Sequence, residues 1–252
     1  MKKLAIATVL ALSSAIVFAD EAVKENTEAV GAEPVASVSW TPIEINLASP
    51  LSLPWWCENV YGLRLNLIYG KSTDIKGLDL GICGVNRGVF AGLRAGAFNY
   101  TDGRAYGVGI GGLADYCSKG FFGLQISGLV NWDCLDSVGA QIALLNFADT
   151  YTGVQLGFLN WNSSLAEGLN VGFANAAQSD FNGAMFGAVN YCKANYCGAQ
   201  IGLFNEIAGS SEGLQLGLFN AADDHNGVQI GLLNLNMSAP LKIMCLVNAN
   251  FR

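Results

Sequence analysis

The stretch Gly153–Asn160 reads GVQLGFLN, and close copies recur as GLQLGLFN at Gly213–Asn220 and as GVQIGLLN at Gly227–Asn234. Aligned on G-[VL]-Q-[IL]-G-[LF]-[LF]-N, the units begin 14 to 16 residues apart. They start at Gly62, Gly77, Gly92, Gly107, Gly123, Gly139, Gly153, Gly168, Gly183, Gly198, Gly213 and Gly227, and a degenerate last copy starts at Leu241. A period this regular is the signature of a repeat architecture.

The side chains of each unit alternate with a period of two, which indicates a strand. In one copy Val154, Leu156 and Phe158 fall on one side of the strand, and the Gly-x-Gln-x-Gly residues fall on the other. We expect the apolar side to face the core, together with the recurrent Asn, an Ala two residues later and an aromatic residue two before the first Gly. No segment has a helical period of helical length, so the sequence predicts an all-β protein.

The preferred architecture is a β-solenoid of about 12 to 13 fifteen-residue coils, because each period holds a single strand and turn. Parallel stacking would place the recurrent asparagines in a hydrogen-bonded amide ladder, which avoids the cost of burying unpaired amides. The predicted ladder consists of Asn99, Asn146, Asn160, Asn175, Asn190, Asn205, Asn220, Asn234 and Asn248. The alternative is an antiparallel outer-membrane β-barrel of 12 to 14 strands, whose strand length and terminal Phe251 would suit a bilayer.

The chain divides into four segments. Residues 1–19 have a positive Lys2-Lys3 start, a short apolar run and an A-x-A-like end at Ala19, which predicts a signal peptide. Residues 20–39 are acidic and free of aromatic residues, and we expect a flexible leader. Residues 40–61 predict a cap or edge strand, and residues 62–252 form the tandem repeat domain. No segment has the unbroken apolar length of a transmembrane helix.

Composition excludes several functions. The formal charge of −7 argues against nucleic acid as a partner. The single histidine, His225, lies in a polar stretch that we interpret as a solvated turn. No cluster of His, Cys and carboxylate residues predicts a metal site, no phosphate loop precedes a helix, and no motif predicts catalysis. We therefore expect no cofactor and no enzymatic activity.

Two surface features and the cysteines lead to further expectations. The acids between Ala105 and Leu241 are expected to line one edge of the solenoid. A stripe of apolar residues just before each Asn is expected to share a face with the Gly and Gln residues and to form an interaction surface. This stripe comprises Leu159, Phe204, Phe219, Leu233 and Val247. Export permits disulfides, and spacing suggests the pairs Cys117–Cys134 and Cys192–Cys197 among seven cysteines.

The residues YGLRLNLIYG at Tyr61–Gly70, the following KGLDLGICGV and the G-x-Q-x-G-x-x-N array resemble the bacterial surface-repeat proteins of leptospires and related bacteria. The resemblance covers roughly residues 43–252. The sequence departs from the family pattern at Gly107–Ala114, where the Gln and the Asn are absent, and in the last unit. The resemblance implies an envelope or cell-surface location and brings no catalytic motif.

These observations predict an exported bacterial envelope or surface repeat protein without enzymatic activity. It would act as a structural or binding surface towards an unknown partner, the cell surface or copies of itself. The alternative function is a pore formed by an outer-membrane barrel.

Overall fold

The computed structural model describes residues 40–49, 51–54 and 57–251. The predicted signal peptide (1–19) and leader (20–39) lie outside these residues. The described chain contains strands and turns without a helix. The strands are β1 Trp40–Ala48, β2 Leu51–Leu53, β3 Asn59–Ser72, β4 Ile75–Asn86, β5 Phe90–Thr101, β6 Ala105–Cys117, β7 Phe121–Ser127, β8 Val130–Asp133, β9 Ser137–Ile142, β10 Leu145–Ala148, β11 Tyr151–Leu156, β12 Leu159–Asn162, β13 Ala166–Val171, β14 Ala174–Ala177, β15 Phe181–Phe186, β16 Val189–Cys192, β17 Tyr196–Ile201, β18 Phe204–Leu216, β19 Phe219–Asn236 and β20 Ile243–Asn250.

Successive units stack in parallel, position on position. Gly153 on β11 lies between Gly139 on β9 and Gly168 on β13, and Asn160 on β12 lies between Asn146 and Asn175. The fold is a β-solenoid of about 13 turns, as the repeat period predicts. The antiparallel barrel is wrong, because neighbouring coils run in the same direction. Each central coil has a six-residue strand, a corner, a four-residue strand and a polar turn.

The prediction of which side faces the core is wrong for half of each unit. Gln155 is fully buried, whereas Leu156 and Phe158 point outward and are 37% and 56% exposed. The Asn, the Ala two residues later and the upstream aromatic are buried, as expected. The interior is therefore a narrow core of amides, small residues and aromatic rings. Much of the apolar surface lies outside.

Glycine permits the coils to stack this closely. Gly153 has a φ of +143°, and a Cβ placed there would lie 1.9 Å from the carbonyl oxygen of Gly139 in the preceding coil. At the corner, a Cβ on Gly157 would lie 2.4 Å from the carbonyl oxygen of Ala143 and 2.7 Å from Asn146 Nδ2. A side chain at either place would push neighbouring coils apart, so both glycines of the repeat are required by close approach.

Both ends of the described stack carry an antiparallel strand. At the first end β2 pairs antiparallel with β1, which itself lies parallel to β3. At the other end β20 pairs antiparallel with β19 and places Asn248 opposite Gln229. The last degenerate copy is thus a reversed capping strand and no further coil. Antiparallel ends interrupt the parallel edge that would otherwise template addition of another chain.

Candidate interaction surface

A continuous amide ladder holds the inner side of the corner. Seven hydrogen bonds of 2.7 to 3.1 Å run from each Asn Nδ2 to the Oδ1 of the Asn in the next coil. The same Nδ2 groups also donate to backbone carbonyls of the following coil, such as Val171 O from Asn160 at 3.0 Å. The ladder members are Asn131, Asn146, Asn160, Asn175, Asn190, Asn205, Asn220 and Asn234.

The observed ladder differs from the predicted one at its ends. Asn131 belongs to it, although the extra residue in its unit hid the position in the sequence. Asn99 lies at the equivalent position but donates to the Asp115 carboxylate at 3.3 Å. Asn248 lies on the antiparallel β20 and is not a ladder member. The sequence identified most of the ladder and misplaced its limits.

A second amide column runs beside the ladder at the Gln position of the repeat. Gln141 donates to Gln125 and Gln155 to Gln141, at 3.1 and 2.7 Å. The column is interrupted at Asn170 and Met185, and it resumes from Gln200 with two bonds of 3.0 and 2.7 Å. In both amide columns, side-chain hydrogen bonds connect neighbouring coils.

The same inner column carries charges in the first coils. Glu44, Arg64, Asp79 and Arg94 occupy successive registered positions and are buried. The Arg64 guanidinium donates two hydrogen bonds, of 2.8 and 2.6 Å, to the Asp79 carboxylate. Because positive and negative residues alternate, the attraction between neighbours offsets the desolvation free energy that each buried charge would cost alone.

The repeat departs from its pattern at Gly107–Ala114 to complete this charged column. Arg94 forms an ion pair with Asp115, which reaches the column from the neighbouring strand at the Asn position. Gly109 leaves the space, because a Cβ there would lie 2.5 Å from an Asp115 carboxylate oxygen. In this unit Gly109 therefore replaces the Gln and Asp115 replaces the Asn, which makes room for the buried ion pair with Arg94.

Two acids that were expected at the acidic edge are buried. Asp115 is held by Arg94, and burial still raises the pKa of Asp115. Asp133 accepts hydrogen bonds from Gln125 and Gln141, at 3.3 and 2.8 Å, whereas Arg94 forms its ion pair with Asp115. Burial, together with the Asp115 charge, raises the pKa of Asp133 to about 7. The remaining acids of this region are exposed or half-buried.

His225 is buried, which corrects its interpretation as a solvated turn residue. It occupies the column of upstream aromatic residues, next to Ser211, and its Nδ1 lies 2.8 Å from Ser211 Oγ. Burial lowers the pKa of His225. Ser211 is only 3% exposed, so its hydroxyl faces the interior. The pair fills the core column.

Neither predicted disulfide is present in the structure, where Cys117, Cys134, Cys192 and Cys197 all carry free thiols. Cys117 is in register with Asp133, so Cys134 is one residue further and points to the opposite side of the strand. Burial raises the pKa of the Cys117 thiol to about 12 and that of Cys192 to about 11. Cys192 is buried whereas Cys197 is exposed, and the turn between them separates their side chains.

The outer corner of the solenoid carries a row of large apolar side chains, which we call the corner ridge. The row follows the stacked backbone, with Phe158 N bonded to Leu144 O and Leu218 N to Leu203 O. These side chains are 40 to 59% exposed, and the rings of Phe158 and Phe173 stack with centroids 4.9 Å apart. The ridge consists of Leu113, Leu129, Leu144, Phe158, Phe173, Leu203, Leu218 and Leu232.

Apolar columns flank the ridge on both slopes of the corner. Phe204 and Phe219, from the predicted stripe, are exposed and stack at 5.1 Å. Val247 lies on β20 and is outside the stripe. The stripe lies on the outside, whereas the Gln residues face inward, so the two do not share a face as expected. The flanking residues are Ile110, Ile142, Leu156, Val171, Phe186, Leu216 and Ile230 on one slope, and Val189, Phe204 and Phe219 on the other.

Charge is kept away from this surface. Among the ridge and flanking residues no side chain is charged. Charged residues lie in the turn after the second strand, as at Asp149, and in the column before the first Gly, as at Glu167 and Glu212. Glu206 is an exception, because it is exposed two residues after Phe204 on the same side of β18. The solenoid is therefore amphipathic in cross-section, with an apolar corner and a polar, mostly acidic edge.

Comparisons with family models, curated proteins and solved structures gave no match. The resemblance to the surface-repeat proteins therefore stays a prediction. Within the described part of the chain, no helix has the length and apolar character needed to cross a membrane. In those same residues no three His, Cys, Asp or Glu side chains gather into a metal-binding group.

Proposed function

We propose that this protein is an exported bacterial envelope or surface repeat protein that acts as a structural or binding surface and not as an enzyme. The observation that carries this proposal is the division between the interior and the exterior. The polar groups of the repeat are engaged inside, in amide columns and ion pairs. What the repeat presents outward, coil after coil, is the charge-free corner ridge.

The size of the ridge supports a binding role. Soluble monomers rarely expose contiguous apolar patches above a few hundred Å². Here the ridge spans coils from Leu113 to Leu232 without a charged interruption. Covering such a surface releases the free energy of apolar burial, about 25 cal/mol per Å². A surface of this kind is expected to be covered in its working state.

Export is the first part of the proposal to test. In a bacterial host, the mature chain should start at Asp20 and should leave the cytoplasm. Replacing Ala19 by Lys removes the small residue at the cleavage site and should leave the signal peptide attached. N-terminal sequencing and cell fractionation report both results. An uncleaved wild-type chain in the cytoplasm would contradict export.

The binding role is tested separately, by attachment to envelope fractions. Phe158→Asn with Phe173→Asn should weaken attachment, because both rings are more than half exposed on the ridge. Leu135→Asn with Leu165→Asn is the matched control, since these exposed leucines lie in turns away from the ridge. Equal attachment of the two double variants would contradict attachment to the envelope through the ridge. The alternative function, a pore, required an antiparallel β-barrel. Because the coils run parallel in a solenoid, we do not propose a pore.

A further inference from the structure

We propose that the corner ridge binds a second copy of this chain, so that two solenoids lie side by side with their ridges and apolar slopes in contact. This inference rests on the proposed function, since it names the partner of the same surface. It follows from the area of the surface, from its spacing and from the position of the charges.

The exposed area is large enough for a stable dimer. The eight ridge residues and ten flanking residues are between 37 and 59% exposed. A large apolar side chain has an area on the order of 180 Å², which gives about 1,400 Å² of exposed apolar surface per copy. A standard stable interface buries about 800 Å² per partner. Covering little more than half of the surface would therefore suffice.

The spacing of the surface matches another copy of itself. Large side chains of the ridge repeat once per coil except at Ala188, and the rings of Phe158 and Phe173 in adjacent coils lie 4.9 Å apart. Neighbouring parallel strands repeat at about 4.8 Å along the whole solenoid. A second solenoid has the same repeat, so its rows can enter the grooves between rows of the first from end to end. An isologous pair about a two-fold axis uses the same patch on both copies.

The charges do not oppose this pairing. No ridge or flanking residue is itself charged, so contact limited to these residues buries no ion. The nearest carboxylate along β18 is Glu206, which lies two residues after Phe204 on the same side of the strand. Acids such as Asp149, Glu167 and Glu212 lie on the polar edge, where they remain in water when the ridges meet. The same excess of acid on the chain, with a formal charge of −7, disfavours an anionic lipid surface as the occupant.

The decisive experiment is sedimentation velocity on the full mature chain between about 1 and 100 μM, with far-UV circular dichroism to verify folding. The wild type should sediment as a dimer. Phe158→Asn with Phe173→Asn should weaken dimerisation at least about 100-fold, since four half-exposed rings leave the interface of each dimer. The control, Leu135→Asn with Leu165→Asn, should dimerise like the wild type.

Each contrary result has a defined meaning. A folded wild type that stays monomeric at 100 μM would overturn pairing, and so would a ridge variant that dimerises like the control. Flotation with phosphatidylcholine vesicles is measured in parallel. A monomer that floats through its ridge would assign the surface to lipid, overturning the second copy while leaving the binding role intact. Failure of export or envelope attachment would instead contradict the proposed function, whatever the oligomeric state.

Discussion

Removing one amide from the middle of the ladder should destabilise the solenoid strongly. Asn175 is buried, accepts a hydrogen bond from Asn160 at 2.8 Å, and donates to Asn190 Oδ1 at 2.8 Å and to Phe186 O at 2.9 Å. In Asn175→Ala the Phe186 carbonyl keeps its bond from Gly172 N, but Asn190 Oδ1 and one Asn160 N–H lose their partners. Each buried unpaired group costs about 1–3 kcal/mol, so we expect a loss of about 2–6 kcal/mol.

Urea unfolding followed by circular dichroism measures this loss, provided that the m-value stays unchanged. Asn182→Ala is the matched control, because Asn182 is exposed and its bond to Glu167 is 3.4 Å long. Its effect should stay within about 0.5 kcal/mol. If Asn175→Ala cost no more than Asn182→Ala, the ladder would contribute nothing to stability and the reasoning would be refuted.

Three further predictions concern other parts of the interior and are measured by urea unfolding. The pKa of Asp133 in the folded state, about 7, lies above its ordinary value, so stability should fall as pH rises from about 4 to 7. Asp133→Asn should remove that fall. At pH 8 its free energy of unfolding should exceed that of the wild type by up to about 4 kcal/mol, since one pKa unit corresponds to about 1.36 kcal/mol. Equal dependence of stability on pH in the two proteins would contradict this. Gly109→Gln restores the repeat consensus yet should destabilise by several kcal/mol, about 3 or more, because it displaces Asp115; a stabilised variant would argue against the ion pair. Gly168 has a φ of +125°, so Gly168→Ala should lower the free energy of unfolding by more than about 2 kcal/mol. Gly112→Ala is the control: its Cβ would have its nearest contact at 3.4 Å, and the loss should be under about 1 kcal/mol.

The period could be predicted from the sequence, and the parallel stack was preferred to the antiparallel barrel because it places the recurrent asparagines in a ladder. The expectation of a single strand per period was wrong, since a central coil contains two strands, such as β11 and β12, joined by a corner. The side that faces inward could not be predicted from polarity. An apolar residue is normally placed inside, yet here Gln155 is inside and Phe158 outside. A stacked Gln finds its hydrogen-bond partner in the next coil, which removes the usual cost of burying an amide.

Other misses had a signal in the sequence. Arg64, Asp79 and Arg94 are spaced by one period with alternating sign, which in a parallel stack places each charge against its opposite. His225 lies two residues before Gly227, the position held by Tyr151 and similar aromatic residues in other units. Position within the repeat, and not residue type, decided burial in these cases. The Cys117–Cys134 prediction failed because a shift of one residue reverses the side of a strand.

The measurement that tests the parallel stack most directly is a pair of distances between spin labels on unnatural amino acids, which leave the native cysteines unchanged. Thr152 and Glu212 are equivalent positions four coils apart, and Val138 and Asn226 are six coils apart. At about 4.8 Å per coil the backbone separations should be about 19 and 29 Å. Distances that grow in proportion to the number of coils are predicted. Distances that do not increase from the first pair to the second would contradict the solenoid.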